Sequence, residues 1–451
     1  NSFGIYGKKW IYSTVPNFGG RTCPVGDLDF YLNGHLNALT SPNKGNLIGL
    51  GTAPEGVENN EVIYEIIADA AWSTSHKDIR EWLRNYTVNR YGSCPDAIME
   101  FWDKMLASDY GFCSSRAQYR VQKKPFDGLG GRYSVSKTHF EALEAFVAAS
   151  DELGNDSAYL TDLALWAGIY AFGKADVLAQ QIHRAYLVGD KDTASSLEAR
   201  FVDLMYRADR LLDLNPVTRL ERWVGFAREW GKDSVESDKY ETNAKRLVTT
   251  WGRGRRADGL DDYSCRMWSG LIRDYYLPRW QHWFDSCKEG KPFDFDAWEY
   301  KWAEESHGVS DFTHCTDPVA EARALVAAAH DIGTNPDELP GWTSFDMTDG
   351  STRVIRMIAP EDYPLLKGLR FTWRRGEDPV KLKLVQINAA GWVRFKKDDI
   401  GIEISRENPV VEIPVDLKVK NGETFQFNYL HIVLDETKKM TDSQVTVEYV
   451  K

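Results

Sequence analysis

The sequence predicts a multidomain protein in which an α/β part, an all-α part and an all-β part follow one another. Three observations lead to this prediction. Short apolar strands alternate with helices up to about residue 72, long amphipathic helices follow up to about residue 335, and short segments of alternating polarity fill the rest. We therefore expect domains over residues 1–72, 73–335 and 340–451.

The first part has the order of βα units with parallel strands. Residues 9–15 and 47–52 are predicted strands, and each is followed by a turn rich in Gly and Pro. Asn60 is the predicted N-cap of a helix in which Val62, Ile63, Ile66 and Ile67 recur at helical spacing. Strand, loop and helix in this order are typical of a parallel sheet.

The second and third parts differ in the period of their apolar residues. Helical spacing and short connections predict neighbouring helices in a bundle, whereas alternation between turns predicts an antiparallel β-sandwich. The predicted helices include residues 157–188, 193–214, 217–230, 237–251 and 262–289. The predicted strands are residues 353–358, 369–373, 381–387, 392–395, 424–433 and 444–450.

The composition is that of a globular protein. The 451 residues include 55 Lys and Arg against 67 Asp and Glu, which gives a formal net charge of −12. This acidic balance argues against nucleic acid as a partner, since such binding needs a basic surface. No apolar run reaches the roughly 20 residues that span a bilayer. The 16 Trp, 21 Tyr and 20 Phe fit either sugar stacking or large helical cores.

Glu55 is the candidate catalytic residue. It lies in the turn at residues 53–56 directly after a short apolar strand, and the loops after parallel strands line the pocket in barrels of such strands. The same pattern fits a solvated turn glutamate, so both interpretations stay open. Glu58, Glu61 and Glu65 are rival carboxylates nearby, with Glu61 and Glu65 expected on a helix surface.

Trp251 and Tyr263 flank a loop rich in Gly and Arg. Trp251 is expected to end one helix and Tyr263 to lie at the start of the next. A Trp and a Tyr on either side of one loop can form a stacking wall with a hydroxyl donor for a sugar. Core packing is the commoner explanation for such a pair.

No motif in the sequence calls for a cofactor or a metal. The six cysteines form no C-x-x-C pair, and His35 and His139 have no partner at metal-ligand spacing. Glycine-rich phosphate loops and a G-x-S-x-G motif are also absent. We therefore expect neither a cofactor nor a metal site.

Several short motifs together resemble the α-N-acetylglucosaminidases of glycoside hydrolase family 89. They occur in the family's order over about residues 1–300, which makes chance an unsatisfactory explanation. The motifs are NFGG at 17–20, GTAPEG at 51–56, RYG at 90–92, TWG at 250–252, DY at 262–263 and DYYLPRW at 274–280.

The resemblance implies a retaining exo-glycoside hydrolase that releases terminal α-linked N-acetylglucosamine from glycans by double displacement. It puts Glu55 at the position of the catalytic nucleophile. It also implies that residues 1–72 are the last βα units of a (β/α)8 barrel and that the protein acts outside the cytoplasm. The residues that it puts in the sugar pocket are Trp251, Tyr263, Phe18, Val15 and Leu260.

The chain departs from the family pattern in two respects. The family's enzymes have a small N-terminal domain and most of the barrel ahead of the point where this chain begins, and their general acid/base glutamate lies there. Two strands cannot close a barrel, so we expect an upstream segment or a second chain to complete it. The β-sandwich is not part of the family core, and we expect it to bind carbohydrate or to pack against the rest.

Two other functions fit the residues by themselves. One is a non-catalytic carbohydrate-binding protein with helical and β-sandwich modules, and the other is a helical interaction scaffold. Glu55 in its turn favours the enzyme, because a binding module has no need of a nucleophilic carboxylate.

Overall fold

The structure is a computed structural model that describes residues 6–24, 26–56, 61–112, 119–125, 137–187, 190–251, 260–305, 315–333, 343–346, 352–358, 362–374, 379–389, 392–418, 428–434 and 445–451. The chain divides into two units. The first comprises Asn1–Pro125, Thr138–Ala175 and Val202–His330, and the second comprises Phe126–Lys137, Asp176–Phe201 and Asp331–Lys451. The expected domain boundaries stay a prediction.

The first unit begins with the predicted βα order. Its elements are β1 (Lys9–Thr14), β2 (Gly26–Asp27), α1 (Leu28–Thr40), β3 (Asn46–Thr52) and α2 (Glu61–Ala70). β1 and β3 pair in parallel, and α1 packs against α2. Parallel pairing brings the carboxyl ends of both strands to one edge, so the loops that follow them are neighbours. The predicted N-cap Asn60 lies outside the described residues.

Capping and burial explain why these helices form where they do. The Asp27 side chain caps α1 by accepting a hydrogen bond from the Phe30 N–H at 2.9 Å. α2 turns Val62, Ile63 and Ile66 inwards, at the spacing that one helix face requires.

Helices make up most of the rest of the first unit. The Asp78 side chain caps α3 by accepting from the Glu81 N–H at 2.8 Å, and Gly92 ends it in left-handed backbone. Among the described helices, none is long and apolar enough to cross a membrane. In chain order, the helices after α2 are α3 (Ile79–Tyr91), α4 (Asp96–Leu106), α5 (Lys137–Ala148), α6 (Ser150–Leu153), α7 (Ser157–Leu187), α8 (Lys191–Leu212), α9 (Leu220–Arg228), α10 (Ser234–Val248), α11 (Leu277–Glu289), α12 (Phe295–Glu305) and α13 (Pro318–Ala329).

The expected helix over residues 262–289 is wrong over residues 262–270, where the structure has no helix. α11 begins only at Leu277, after a π-helical turn at Ile272–Tyr276. Asp262 and Cys265 have φ angles of 51° and 41°, and left-handed backbone cannot continue a right-handed helix. Trp251 likewise does not end a helix, because α10 stops at Val248 and Trp251 itself has a φ of 60°.

The C-terminal residues form two antiparallel sheets. The strands are β5 (Thr343–Asp346), β6 (Thr352–Met357), β7 (Gly368–Trp373), β8 (Val380–Ala389), β9 (Trp392–Ile404), β10 (Val410–Pro414), β11 (Asn428–Leu434) and β12 (Val445–Val450), while β4 (Gly111–Phe112) pairs with β2 in the first unit. A five-stranded sheet has the order β5-β6-β11-β8-β9 and a three-stranded sheet has the order β10-β7-β12. Both sheets contribute to one apolar core, as a sandwich requires. β5 and β10 were not predicted from the sequence.

Candidate active site

Glu55 lies in the turn at the carboxyl end of β3. The Ala53 N–H donates to the Thr14 carbonyl at 3.0 Å, which continues the pairing of β1 and β3 past their ends. The Glu55 N–H then donates to the Asn17 carbonyl at 3.2 Å. The backbone of the Glu55 turn is therefore fixed by the loop that follows β1.

Two hydrogen-bond donors converge on one oxygen of the Glu55 carboxylate. The Gly19 N–H lies 2.7 Å from Oε2, and the Tyr263 hydroxyl lies 2.6 Å from the same atom. Partial burial, and then the hydrogen bond to Glu55, raise the pKa of Tyr263, so its hydroxyl is a donor at neutral pH. Donors of this kind hold a carboxylate in one orientation and stabilise its negative charge.

Close approach explains the glycines beside Glu55. Gly19 and Gly20 have φ angles of +67° and +73°, which favour glycine. A Cβ at Gly19 would lie 2.9 Å from the Tyr263 ring, and a Cβ at Gly20 would lie 1.9 Å from Nη2 of Arg266. Glycine is thus needed for the loop to reach Glu55, Tyr263 and Arg266 together.

Trp251 and Tyr263 lie in contact. Their rings pack edge to face, with centroids 5.5 Å apart and planes at 80°. Trp251 is 36% exposed, so the pair presents aromatic surface to solvent. Arg21 holds Tyr263 from the other side, because its Nε donates to the Tyr263 carbonyl at 3.1 Å and its guanidinium lies 4.9 Å from the ring centroid.

Val15, Phe18 and Leu260 lie in the segments that carry the site. Val15 directly follows β1 and is exposed, and Phe18 lies in the following loop and is partly buried. Leu260 is exposed, and its carbonyl accepts from the Tyr263 N–H at 3.0 Å. Their proposed contact with sugar stays a prediction.

Of the rival carboxylates that the structure describes, Glu61 is partly buried and Glu65 is exposed. Glu61 was expected on the surface but is partly buried, next to the ion pair of Arg90 and Asp162. Burial, followed by the nearby Asp162 charge, raises the pKa of Glu61. Glu65 is exposed as predicted, and Glu58 lies outside the described residues.

Sequence reasoning gave no role in the site to Arg21, Arg266 or Tyr64, which surround Glu55. The Tyr64 hydroxyl donates to the Gly56 carbonyl at 2.6 Å, and burial raises the pKa of Tyr64 to about 12. A polar residue next to the inward face of α2 is the signal that could have indicated Tyr64. The pattern around Arg21 and Arg266 held no such signal. Within the part of the chain that is described, no group of three or more His, Cys, Asp or Glu could hold a metal ion.

Comparison with known proteins identifies the family. Residues 82–328, more than half of the chain, match the family model described as the alpha-N-acetylglucosaminidase (NAGLU) C-terminal domain. The chain belongs to the α-N-acetylglucosaminidase family. Residues 1–74 match the tim-barrel domain of the same family, in agreement with the βα units there.

Individual relatives of the family support the match. Human α-N-acetylglucosaminidase is 29% identical over 302 residues, which cover 64% of this chain and 40% of that protein. A family 89 glycoside hydrolase from Clostridium perfringens, in complex with 2-acetamido-1,2-dideoxynojirmycin, matches with a TM-score of 0.66 and 26% identity over 72% of this chain and 40% of that chain. A variant from the same organism with two Glu-to-Gln substitutions, in complex with its substrate GlcNAc-α-1,4-galactose, gives the same identity, TM-score and coverage.

These relatives are glycosidases, and the predicted resemblance to family 89 is confirmed. The chain spans about 40% of the length of the relatives that it matches. The roles of Glu55, Trp251 and Tyr263 are not tested by these comparisons and stay predictions.

Proposed function

We propose that this chain carries the nucleophile of a retaining exo-α-N-acetylglucosaminidase and that Glu55 is that nucleophile. The observation that carries the proposal is the convergence of the Gly19 N–H and the Tyr263 hydroxyl on one Glu55 oxygen, at 2.7 Å and 2.6 Å. Glu55 lies at the carboxyl end of a parallel strand, and barrel enzymes have their catalytic residues at the carboxyl ends of their strands.

The chemistry of the substrate explains why such a carboxylate is needed. In an α-linked N-acetylglucosaminide, the acetamido group lies on the same side of the ring as the leaving group and cannot attack the anomeric carbon from behind. A Glu55 oxygen therefore forms the bond to the anomeric carbon as the glycosidic C–O bond breaks, and a second carboxylic acid gives its proton to the departing oxygen. Water then releases the sugar, with net retention of configuration.

The aromatic pair beside Glu55 supports a sugar as the ligand. The Trp251 ring is in part exposed and stands against Tyr263, whose hydroxyl already contacts Glu55. Flat aromatic surface next to hydrogen-bonding groups suits the apolar face and the hydroxyls of a pyranose. Phe18, Val15 and Leu260 complete this pocket in the proposal, and the substrate is a glycan with terminal α-linked N-acetylglucosamine.

The general acid is assigned to no residue of this chain. The parallel pair of β1 and β3 needs further strands on its edges to make a closed barrel. We propose that an upstream segment or a second chain provides those strands together with the acid. A location outside the cytoplasm, as for a secreted or lysosome-like enzyme, is proposed by resemblance to the family. The isolated chain should then show no measurable turnover.

Hydrolysis of a chromogenic α-N-acetylglucosaminide by the protein with its complete barrel tests the proposal. Glu55→Gln should remove activity, and Glu65→Gln, an exposed carboxylate of the same βα unit, should retain it. Azide added to Glu55→Ala should restore turnover and yield the β-glycosyl azide, because azide then attacks from the face that Glu55 occupied. The first anomer released by the unmodified enzyme should be α.

Each other outcome has a distinct meaning. Hydrolysis that survives Glu55→Gln would exclude Glu55 as the nucleophile. An α-glycosyl azide from Glu55→Ala would instead assign Glu55 as the acid/base. Binding of N-acetylglucosaminides without any turnover by the complete protein would favour the non-catalytic carbohydrate-binding alternative.

A further inference from the structure

A buried group of charged side chains adjoins the segment that carries Tyr263. We call Asp262, Arg279 and Glu299 the Arg279 cluster. The Arg279 Nη1 atom donates to Asp262 Oδ2 at 2.8 Å and to Glu299 Oε1 at 3.0 Å, and the Arg279 side chain is 0% exposed. Its Nη2 atom donates to the Gln122 carbonyl at 3.0 Å. Buried charges are costly unless they are fully paired, so this cluster calls for an explanation beyond stability.

The Arg279 cluster contacts a segment of strained backbone. Asp262 and Cys265 are the non-glycine residues of this segment with left-handed φ angles, 51° and 41°, a conformation that L-residues seldom adopt. Arg279 contacts the Asp262 carboxylate directly. It reaches Cys265 through Gln122, because the Gln122 Nε2 atom donates to the Cys265 carbonyl at 2.6 Å.

Tyr263 lies between these two strained residues. Its hydroxyl is 2.6 Å from Glu55 Oε2, and its ring packs against Trp251. The direction in which Tyr263 points therefore depends on the backbone angles at Asp262 and Cys265. If either residue relaxed to ordinary φ values, the hydroxyl would leave Glu55.

The DYYLPRW motif at residues 274–280 supplies the parts of this arrangement. Tyr275 lies in the π-helical turn before α11, and the Arg279 guanidinium is 4.7 Å from its ring centroid. The Trp280 Nε1 atom donates to the Val121 carbonyl at 3.0 Å, next to Gln122. π-Helical turns inside helices are frequent at functional sites.

We propose that Arg279 is a positioning residue, which fixes the Tyr263 hydroxyl on Glu55 by holding Asp262 and, through Gln122, Cys265 in left-handed backbone. This proposal rests on the proposed function for its kinetic test. It adds to that function a structural group that neither touches substrate nor reacts.

Two variants of the complete protein test the positioning role. Arg279→Lys keeps the charge but loses the planar fork that reaches three partners at once. Asp262→Asn keeps a residue that tolerates left-handed backbone and removes only its charge. Each should lower kcat/KM on the chromogenic substrate by about 10- to 100-fold. In a Tyr263→Phe background the same changes should lower it by less than about threefold, because the contact that they position is already gone.

Arg90→Lys is the matched control. Arg90 forms a partly buried pair with Asp162 in the same unit, at 2.5 and 2.7 Å, and this pair joins α3 to α7. The substitution should lower the melting temperature but change kcat/KM of the folded protein by no more than about twofold. The proposal would be overturned if Arg279→Lys lowered kcat/KM equally with and without the Tyr263 hydroxyl. It would also be overturned if Arg90→Lys lowered kcat/KM as much as Arg279→Lys does.

A spectroscopic measurement separates this proposal from the proposed function. 3-Fluorotyrosine incorporated at position 263 gives a ¹⁹F resonance that reports the contact with Glu55 without any turnover. Arg279→Lys and Asp262→Asn should each shift this ¹⁹F resonance toward the chemical shift that it has in the Glu55→Ala protein. An unchanged resonance would reject the positioning role, whereas an inactive unmodified enzyme with the expected shifts would reject only the glycosidase proposal.

Discussion

The two segments that meet at the Glu55 carboxylate are built in opposite ways. The Glu55 turn relies on glycine and on hydrogen bonds at strand ends, such as that from the Ala53 N–H to the Thr14 carbonyl. The Tyr263 segment relies on L-residues in left-handed backbone, with Asp262 held by the fully buried Arg279. The first is held by backbone hydrogen bonds between neighbouring strand ends, and the second is held by a buried charged side chain.

This difference predicts how each half of the site fails. The Glu55 turn is tight, so added volume disrupts it most. The Tyr263 segment is strained and held by charge, so removal of a charge or a hydroxyl disrupts it most. Substitutions that reverse this pattern would contradict the comparison.

Adding a methyl group at Gly19 should have the largest effect on stability. A Cβ there would lie 2.9 Å from both the ring and the backbone carbonyl oxygen of Tyr263, and the φ of +67° already disfavours L-residues. Gly19→Ala should therefore lower the free energy of unfolding by about 3 kcal/mol, as measured by denaturant unfolding.

Gly92→Ala separates the two causes of that loss. Gly92 has nearly the same φ, +76°, but a Cβ added there would meet no other residue within 4 Å. It should cost only the backbone strain, about 1 kcal/mol. Equal losses at Gly19 and Gly92 would mean that close packing around Glu55 contributes nothing.

The sequence revealed the Glu55 half of the site because its signals are local. A short apolar strand followed by the turn at residues 53–56 places Glu55 correctly, and the parallel pairing of β1 and β3 follows from the βα order. It placed Tyr263 wrongly in a helix, because the left-handed angles at Asp262 depend on Arg279, 17 residues away. A buried ion pair between residues that are 17 positions apart produces no periodic pattern of apolar residues in the sequence.

A second buried pair, formed by Arg273 and Asp209, contributes to stability in a way that depends on pH. The Arg273 Nη1 atom lies 3.1 Å from Asp209 Oδ2, yet burial outweighs this charge and raises the pKa of Asp209 from 3.8 to about 6. Because the pKa of Asp209 is higher in the folded than in the unfolded protein, protonation of Asp209 stabilises the folded state. This contribution to the free energy of unfolding is fully present below about pH 4 and is lost as the pH rises through about 6. The difference of about two pKa units corresponds to at most about 3 kcal/mol.

Asp209→Asn should remove this dependence. The stability difference between variant and unmodified protein should change by up to about 3 kcal/mol between about pH 4 and about pH 7, in urea unfolding at both values. Asp203→Asn, which alters an exposed pair with Arg207, should show no such change. A difference that is independent of pH for Asp209→Asn would refute the assignment.

Tyr263→Phe should have a smaller effect, confined to catalysis. It removes one hydrogen bond to a charged carboxylate, which corresponds to about 2 kcal/mol, or about a 30-fold fall in kcat/KM. Stability should hardly change, because the Tyr263 hydroxyl bond is exposed. Tyr206→Phe, at a tyrosine 38% exposed on α8, is the control and should leave both unchanged. A large loss of stability would show that the Tyr263 hydroxyl supports the fold as a whole and not only the orientation of the Glu55 carboxylate.

Tyr64→Phe should have the smallest effect and tests the Glu55 half directly. The Tyr64 hydroxyl donates to the neutral Gly56 carbonyl at 2.6 Å, so its removal should cost about 1 kcal/mol of unfolding free energy. Since burial raises the pKa of Tyr64 to about 12, this loss should be the same at about pH 5 and about pH 8. The effect on kcat/KM should be only about twofold, because the bonds from Ala53 and Glu55 to the β1 side still hold the turn. A fall as large as that of Tyr263→Phe would show that the turn depends on α2, and the contrast between a half held by backbone hydrogen bonds and a half held by a buried side chain would no longer stand.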